Sequence, residues 1–329
     1  MQTYIIRRVW LAFITIGLVA IIIFLLLRFI PGSVLDLMVA ELAEETGTVD
    51  LDIEGLKHLL GLDVPVYAQF GRWIGFWPQD SGAFYGIIQG NWGTSLWSGE
   101  SIIQMMLHRI PVSIELALLG MTLAWFIGLP IGIWSAIRQD TAIDFGGRSF
   151  TIFWLAAPGF WIGTMVIVYP SILWGWTPPI EYIPLVKDPI GNIGQFLIPA
   201  FLTGAATSAS ISRYSRTWML EVLRQDYIRT AWAKGLQERT VILRHALRNA
   251  LIPLITVFGR ELSRLITGVV IMEQIFVLPG MGRLFLNALN TRDYPVVQAV
   301  NLLTSTWGVF LNLIIDITYA YIDPRIRYR

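Results

Sequence analysis

Five polar residues in the last third of the chain stand in segments that are otherwise apolar. Arg260, Glu261 and Arg264 lie in one such segment, and Asn312 and Asp316 lie in another. Spacings of three and four positions place Arg264 beside both Glu261 and Arg260 on a helix. A charge in hydrocarbon costs at least ~2.5 kcal/mol, so these side chains should face protein or water. They predict either an ion-pair network between the two segments or a polar lining for a solute pathway.

The charges of this group do not balance within one segment. A pair between Glu261 and one arginine leaves one cation over. That cation would meet either Asp316 of the other segment or the carboxylate of a transported solute. Both interpretations remain open from the sequence.

A second cluster of charge is basic and lies in residues 226–253, DYIRTAWAKGLQERTVILRHALRNALIP. Residues 227–234 contain no helix breaker, and Gly235 suits the left-handed turn that ends a helix. Residues 239–247 are expected to form a second short helix that leads into the next apolar segment. Another protein could bind such a pair of exposed helices and move the membrane segment that follows them. The alternative is a basic loop that fixes topology and touches anionic lipid.

Several kinds of chemistry are excluded by what the sequence lacks. It contains no cysteine, and His58, His108 and His245 are scattered without metal-ligand spacing. No serine elbow or G-x-x-x-x-G-K-[ST] loop occurs, so neither an intramembrane hydrolase nor a nucleotide site of the P-loop type is indicated. A net charge of +1 argues against a nucleic-acid partner.

The segments that must position these residues are membrane spans. Of 329 residues, 55% are hydrophobic and 14% are charged, against about 25% charged in a typical soluble domain. Roughly 20 helical residues cross the hydrocarbon core. The runs long enough to do so are 9–27, 116–137, 149–180, 189–212, 250–272 and 294–315. The predicted fold class is an all-α polytopic membrane protein with six transmembrane helices.

The distribution of Lys and Arg predicts the orientation. Arg7 and Arg8 before an apolar run imitate a signal peptide, but no A-x-A-like site follows, so we interpret the run as an uncleaved first span. With six spans, the segments 1–8, 138–148, 213–249 and 322–329 share a side and carry 15 Lys/Arg, against 7 in the remaining loops. Both termini are therefore predicted to be cytoplasmic.

The predicted organisation has three parts. Residues 1–28 form a cytoplasmic tail and the first span, 29–115 an extracytoplasmic loop or subdomain, and 116–329 a five-helix core that contains the loop 213–249. The extracytoplasmic loop shows helix-like spacing and then a set of aromatic rings, expected near the lipid headgroups or on a partner surface. The residues of this pattern are Leu56, Leu59, Leu60, Tyr67, Phe70, Trp73 and Trp77.

Small residues predict close helix contacts. Gly128 and Gly132 form one GxxxG pair, Gly159 and Gly163 form another, and residues 204–210 are a run of small side chains. Small faces allow helix backbones to approach in a membrane. We interpret all three as packing sites.

The basic loop resembles the EAA loop of ABC-importer permeases, whose short coupling helix sits in a groove of the ATPase subunit. Arg229, Thr230 and Ala231 fall at the EAA triplet and Gly235 at its glycine. The glutamate of the general pattern is absent, and Arg248 stands where many members of the family have proline. In both respects the loop resembles the B-type branch of the dipeptide/oligopeptide permeases. The resemblance assigns ATPase coupling to Arg229, Thr230, Ala231, Trp232, Ala233, Lys234, Gly235 and Leu236.

Further strings resemble the same branch over nearly the whole chain. They are YIIRRVWLAFITIGLVAIIIFLLLRFIPG, GLDVPVYAQFGRW, GNWGTSL, MEQIFVLPGMGRLFLNAL, RDYPVVQAV and DPRIR. The resemblance implies the type I importer permease fold and a solute that is a dipeptide, a longer peptide, a nickel chelate, glutathione or a sugar.

The resemblance also implies the partners. They are a second homologous permease, two ABC ATPase subunits that carry ATP and Mg²⁺, and an extracytoplasmic solute-binding protein. The chain itself is then no enzyme, binds no cofactor, and lies as a multi-pass protein in a bacterial or archaeal plasma membrane. The competing function is a secondary transporter driven by an ion gradient, which is expected to contain inverted repeats; no convincing repeat is visible.

Overall fold

The computed structural model describes residues 2–29 and 63–322, and this part of the chain is predominantly helical. Leu56, Leu59 and Leu60 and the closing DPRIR lie outside the described residues. The helices are α1 (Gln2–Phe29), α2 (Val66–Ile74), α3 (Ile102–Ile137), α4 (Ala142–Ala156), α5 (Gly159–Trp174), α6 (Pro189–Leu223), α7 (Asp226–Ala233), α8 (Arg248–Gly268), α9 (Val270–Ile275), α10 (Met281–Asn290) and α11 (Tyr294–Ile322).

Long apolar helices account for most of the predicted spans. Thr3–Arg28, Ile102–Ile137 and Tyr294–Thr318 are each long and apolar enough to cross a membrane. Two bent helix pairs raise the number to as many as five within the described residues. One pair is α4 with α5, which meet at 92°, and the other bends by 43° between Ile255 and Val257.

The predicted span over 149–180 is not one continuous helix, since α4 and α5 divide it. Ala157 has extended backbone angles (φ −76°, ψ 126°) between α4 and α5. The residue after it is Pro158, and the proline ring disfavours a helical conformation in the residue before it. A 32-residue apolar run is consequently divided into two helices, which a count of apolar residues does not detect.

Two other predicted boundaries also move. Helix α3 begins at Ile102 rather than at residue 116. The separate short helix predicted over 239–247 is a continuous entry into α8. One α-helical turn (Glu238–Thr240) is followed by a π-helical stretch (Val241–Leu247), and α8 continues from it.

The described chain forms two compact units by its contacts, with helices α1, α3, α10 and α11 contributing to both. The first unit consists of residues 1–9, 110–283 and 310–329. In it α6 packs most extensively against α4 and α8. Its apolar core includes Leu116, Phe196 and Phe276, all at most 3% exposed.

Glycines allow α3 and α6 to touch at the backbone within this unit. A Cβ atom at Gly128 would overlap the carbonyl group of Ser208, and one at Gly132 would overlap that of Ser212. A Cβ atom at Gly204 would overlap the carbonyl of Gly120. The predicted Gly128–Gly132 packing site is confirmed. The Gly159–Gly163 pair is looser, because a Cβ atom at Gly163 would approach side-chain atoms of α9.

We expect Gly128→Ala to lower the free energy of unfolding of the chain by about 1–3 kcal/mol, because the added methyl group meets backbone that cannot move aside. Gly194→Ala is the matched control, since Gly194 lies in α6 and a Cβ atom there meets nothing within 4 Å. It should be neutral or stabilising by about 0.5–1 kcal/mol. Titration from mild detergent into SDS measures both, and equal stabilities would contradict the packing role of Gly128.

The second unit consists of residues 10–109 and 284–309. Phe70 and Trp73 of α2 pack on Phe24 of α1, with ring centroids 5.1 and 5.7 Å from it. Tyr67 and Trp77 remain 68% and 45% exposed. The predicted aromatic set thus divides between an internal contact with α1 and an exposed surface.

Candidate functional site

Helix α7, which carries the predicted coupling residues, is fixed to the first unit by its inward face. Ile228 is fully buried and Ala231 is 7% exposed. They share an apolar cluster with Met219 of α6 and with Val241 and Ala246 of the π-helical stretch. Helix α7 is therefore packed directly against α6 and against the entry of α8.

The C-terminal end of α7 is set by a Schellman motif. Gly235 has φ 74°. The Gly235 N–H donates to the Trp232 carbonyl oxygen at 2.9 Å, and the Leu236 N–H donates to that of Ala231 at 3.4 Å. The left-handed conformation predicted for Gly235 is confirmed, and it terminates the helix as the sequence indicates.

The outward face of α7 and its turn combines apolar and basic side chains. Tyr227, Trp232 and Leu236 are 43%, 43% and 38% exposed. We use the name coupling surface for the exposed residues Tyr227, Arg229, Thr230, Trp232, Ala233, Lys234 and Leu236. Exposed aromatic residues beside arginine are typical of the energetically dominant part of protein interfaces. Ala231 belongs to the predicted set, but the structure places it on the inward face.

Hydrogen bonds and an ion pair connect the coupling surface to its surroundings. The Asn249 amide Nδ2 donates to the Tyr227 hydroxyl at 2.7 Å, which joins α7 to α8. Arg229 and Asp226 are 3.5 Å apart, but both are at least 75% exposed, so this pair contributes little stability. The position of α7 therefore depends mainly on Ile228 and Ala231.

The residues predicted to lie inside the membrane differ in exposure. Glu261 is 7% exposed, whereas Arg260 and Arg264 are exposed on the first unit. Helices α8 and α11 meet here, because a Cβ atom at Gly259 would overlap Ile315. The Ser263 hydroxyl also lies 3.4 Å from the Asn312 Oδ1.

Asp316 has a partner that the sequence did not predict. Its carboxylate lies 2.8 Å from the Arg8 guanidinium of α1. Of the two partners considered for the excess cation of 250–272, Asp316 is thus engaged by the first helix. Arg8 had been interpreted only as a topology signal.

Two buried carboxylates were missed by the sequence analysis. The first is Asp144, which is fully buried. It accepts hydrogen bonds from Arg216 Nε at 2.7 Å and Nη2 at 2.8 Å, and from the Ser135 hydroxyl at 2.5 Å. The Arg148 guanidinium lies 3.2 Å away. This carboxylate therefore ties the end of α3, the start of α4 and the C-terminal part of α6 together.

The second buried carboxylate is Glu273, which is fully buried at the end of α9. It accepts from the Ser113 hydroxyl at 2.5 Å and from the Gly282 and Arg283 N–H groups at 2.7 and 3.1 Å. These two N–H groups belong to the first turn of α10, where a negative charge is favoured. The signal in the sequence was an acidic residue before a Pro-Gly turn, within the string MEQIFVLPGMGR.

A related arrangement occurs in the second unit. Asp293 is 4% exposed and accepts from the Ser95 hydroxyl at 2.5 Å and from the Leu96 N–H at 3.3 Å. The Trp97 indole donates to the Thr291 carbonyl oxygen at 2.9 Å. The strings GNWGTSL and RDYPVVQAV are thus held together by one carboxylate, through residues 198 positions apart in the chain.

Comparisons with known proteins agree with this architecture. Residues 128–328 match the family described as binding-protein-dependent transport system inner membrane component, and residues 1–117 match its N-terminal companion. Two solved structures have a similar fold. The MetNI methionine ABC transporter has a TM-score of 0.52 at 14% identity and covers 67% of this chain and 97% of its own. An amino acid ABC transporter solved with histidines has a TM-score of 0.54 at 11% identity, with 67% and 94% covered.

Curated relatives match over the full length of both chains. The oligopeptide transport system permease protein AppB of Bacillus subtilis is 37% identical over 331 residues. The di/tripeptide transport system permease protein DppB of Pseudomonas aeruginosa is 36% identical over 349 residues, and the dipeptide transport system permease protein DppB of Escherichia coli is 33% identical over 352. On these matches the chain is a multi-pass membrane protein that belongs to the binding-protein-dependent transport system inner membrane component family.

Proposed function

We propose that this chain is a permease subunit of an ABC importer and forms part of the translocation pathway for peptides or similar small solutes. The observation that carries the proposal is full-length identity of 33–37% to permeases named for oligopeptide, di/tripeptide and dipeptide transport. The structural similarity to the two amino acid transporters supports the fold. Because their sequence identity is only 14% and 11%, the proposed solute class is taken from the relatives of 33–37% identity.

The proposed topology has six spans with both termini in the cytoplasm of a bacterial or archaeal plasma membrane. Three long helices and two bent pairs supply up to five spans within the described residues. Helix α6 is the sixth: its 35 residues reach about 52 Å at ~1.5 Å per residue. Its hydropathy is low because many of its buried residues are Gly, Ala, Ser and Thr, which allow the close contact with α3. The excess of Lys and Arg in one set of loops supports the orientation.

The proposed partners follow from the coupling surface. It docks in a groove of an ABC ATPase, and closure of two such ATPases around ATP and Mg²⁺ pulls on α7 and thereby on α6 and α8. A second homologous permease completes the pathway, and an extracytoplasmic binding protein delivers the solute. The burial of Ile228 and Ala231 against α6 and the π-helical stretch supports this transmission.

For the intramembrane residues we propose a structural role in joining α8 to α11. The residues are Arg260, Glu261, Arg264, Asn312 and Asp316. The Ser263–Asn312 approach and the Gly259–Ile315 contact support it. The Arg8–Asp316 pair extends the same role to α1.

Uptake by cells tests the transport function. We expect a strain that lacks this chain to lose uptake of labelled di- and oligopeptides and to keep uptake of the free amino acids. The complex reconstituted with ATPases and binding protein should hydrolyse ATP in response to peptide, whereas the chain alone should hydrolyse none. Peptide uptake at the wild-type rate in the deletion strain, with no second system present, would refute the peptide assignment.

A further inference from the structure

A cavity of about 220 Å³ in the first unit is lined by three arginines, and none of its lining residues belongs to the coupling surface. Its basic and hydroxyl-bearing side chains come from the end of α3, from α4 and from α6. They are Ser135, Arg148, Thr151, Ser212, Arg213, Arg216 and Thr217. Ser135, Arg148 and Arg216 also belong to the cluster around Asp144, whereas Arg213 and Thr217 have no role assigned above.

The charges around the cavity leave an excess of cation. Two of the three arginines, Arg148 and Arg216, contact Asp144. Arg148 also lies 3.8 Å from Asp140, which is 72% exposed. Arg213 is exposed and lies over the Tyr214 ring, with its guanidinium carbon 5.2 Å from the ring centroid. Three cations thus face two carboxylates, of which one is screened by solvent.

Not all the arginine donors at the cavity are used within the protein. The Arg148 Nε is enclosed and has no hydrogen-bond partner among the described residues. The guanidinium of Arg213 is exposed at the rim, whereas the Thr217 hydroxyl beside it donates to the Arg213 carbonyl oxygen at 3.0 Å. Arginine forks match the oxygens of a phosphate group in a bidentate manner. The combination of arginine donors and excess positive charge is suited to a phosphate.

We propose that this cavity binds a phosphate group, supplied by the headgroup of an anionic phospholipid. The exposed apolar side chains beside the cavity favour a lipid over a free phosphate ion. Ile152 lines the cavity and is 67% exposed, and Phe145 and Phe153 on the same helix are 57% and 55% exposed. A ligand with a charged head and apolar chains covers both surfaces, and basic pockets of this kind between membrane helices bind anionic headgroups.

The position of the cavity is consistent with that ligand. Its arginines belong to the segments 138–148 and 213–249, which the proposed topology places at the cytoplasmic ends of the spans. The cytoplasmic leaflet is the one that carries a negative surface potential. The choice of lipid over free phosphate rests on that proposed topology and on the apolar surface beside the cavity, whereas the phosphate chemistry rests on the cavity itself.

Native mass spectrometry of the delipidated complex tests the proposal with phosphatidylglycerol as the probe. We expect phosphatidylglycerol to be retained in preference to phosphatidylcholine. Arg213→Gln should weaken its apparent affinity about fivefold, the usual effect of one charge near an anionic surface. Arg239→Gln is the matched control, since Arg239 is an exposed arginine of the same segment 213–249 and does not line the cavity. It should bind phosphatidylglycerol as the wild type does.

Two further measurements distinguish a lipid phosphate from free phosphate and control for misfolding of a variant. Arg148→Gln should also weaken binding. Because Arg148 contacts Asp144, that variant can also destabilise the fold, so Arg213→Gln, at an exposed residue, is the decisive variant. If millimolar inorganic phosphate raises the melting temperature as far as phosphatidylglycerol does, the site takes free phosphate and the lipid source is rejected. Equal affinity of phosphatidylglycerol for the wild type, Arg213→Gln and Arg148→Gln overturns the site altogether.

Discussion

Replacement of Gly235 by valine is expected to abolish peptide-stimulated ATP hydrolysis in an otherwise assembled complex. Gly235 has φ 74°, and a Cβ atom there meets nothing within 4 Å. The expected loss of stimulated hydrolysis therefore does not come from steric overlap of the valine with its neighbours. A left-handed conformation costs a residue with a side chain about 1–2 kcal/mol, and more when the side chain is β-branched. That cost shifts the population of the native turn by a factor of about 5–30.

The expected loss is a loss of coupling, because the turn holds Trp232 and Leu236 at the end of the coupling surface. Gly235→Asn should remain close to the wild type, since asparagine tolerates the left-handed region. Gly175→Val is the matched control: Gly175 ends α5 with φ 66° and an equally open Cβ position. It should cost similar stability without loss of stimulation. Stimulation at the wild-type level in Gly235→Val, or an equal loss in Gly175→Val, would contradict the coupling role.

The sequence predicted those features of the fold that depend on neighbouring residues. Helix α1 and helix α11 follow from long runs with few charges, and the end of α7 follows from one glycine. The contact at Gly128 and Gly132 followed from their spacing. In each case the physical cause, burial in lipid, a left-handed turn or a missing side chain, acts within a few positions of the chain.

The features that were missed depend on distant residues. Asp144 and Arg216 are 72 positions apart, and Ser113 and Glu273 are 160 apart. A hydropathy profile treats each of these charged residues as a sign of a loop, since an isolated charge avoids hydrocarbon. It contains no information on the partner that satisfies the charge in the folded protein. The Arg8–Asp316 pair, which joins the two ends of the chain, was missed for the same reason.

The second large expected effect concerns the buried carboxylate of Asp144. Asp144→Ala should lower the free energy of unfolding by about 3–5 kcal/mol, because it removes one member of a buried ion pair and leaves the other enclosed. The Arg216 side chain is 23% exposed and gives two of its donors to this carboxylate. The Ser135 hydroxyl and the Asp140 N–H lose an acceptor as well. Titration from mild detergent into SDS measures the change.

The charge and the hydrogen bonds can be separated by further variants. Asp144→Asn retains an acceptor for Ser135 but removes the charge, so it should lie between the wild type and Asp144→Ala. The double change Asp144→Ala with Arg216→Met should be more stable than Asp144→Ala alone, because no cation is then left enclosed without its partner. Asp226→Asn is the control, since that carboxylate is 96% exposed and should change stability by less than about 1 kcal/mol.

The double variant decides between two accounts of Asp144. If the carboxylate mainly neutralises Arg216, removing both charges restores a large part of the lost stability. If it mainly orders the turn between α3 and α4 through Ser135 and the Asp140 N–H, the double variant stays as unstable as Asp144→Ala. The two charge-assisted bonds at 2.7 and 2.8 Å favour neutralisation, since such bonds are roughly twice as strong as neutral ones. We therefore expect partial rescue, and a double variant no more stable than Asp144→Ala would show that the turn, rather than the ion pair, is what Asp144 stabilises.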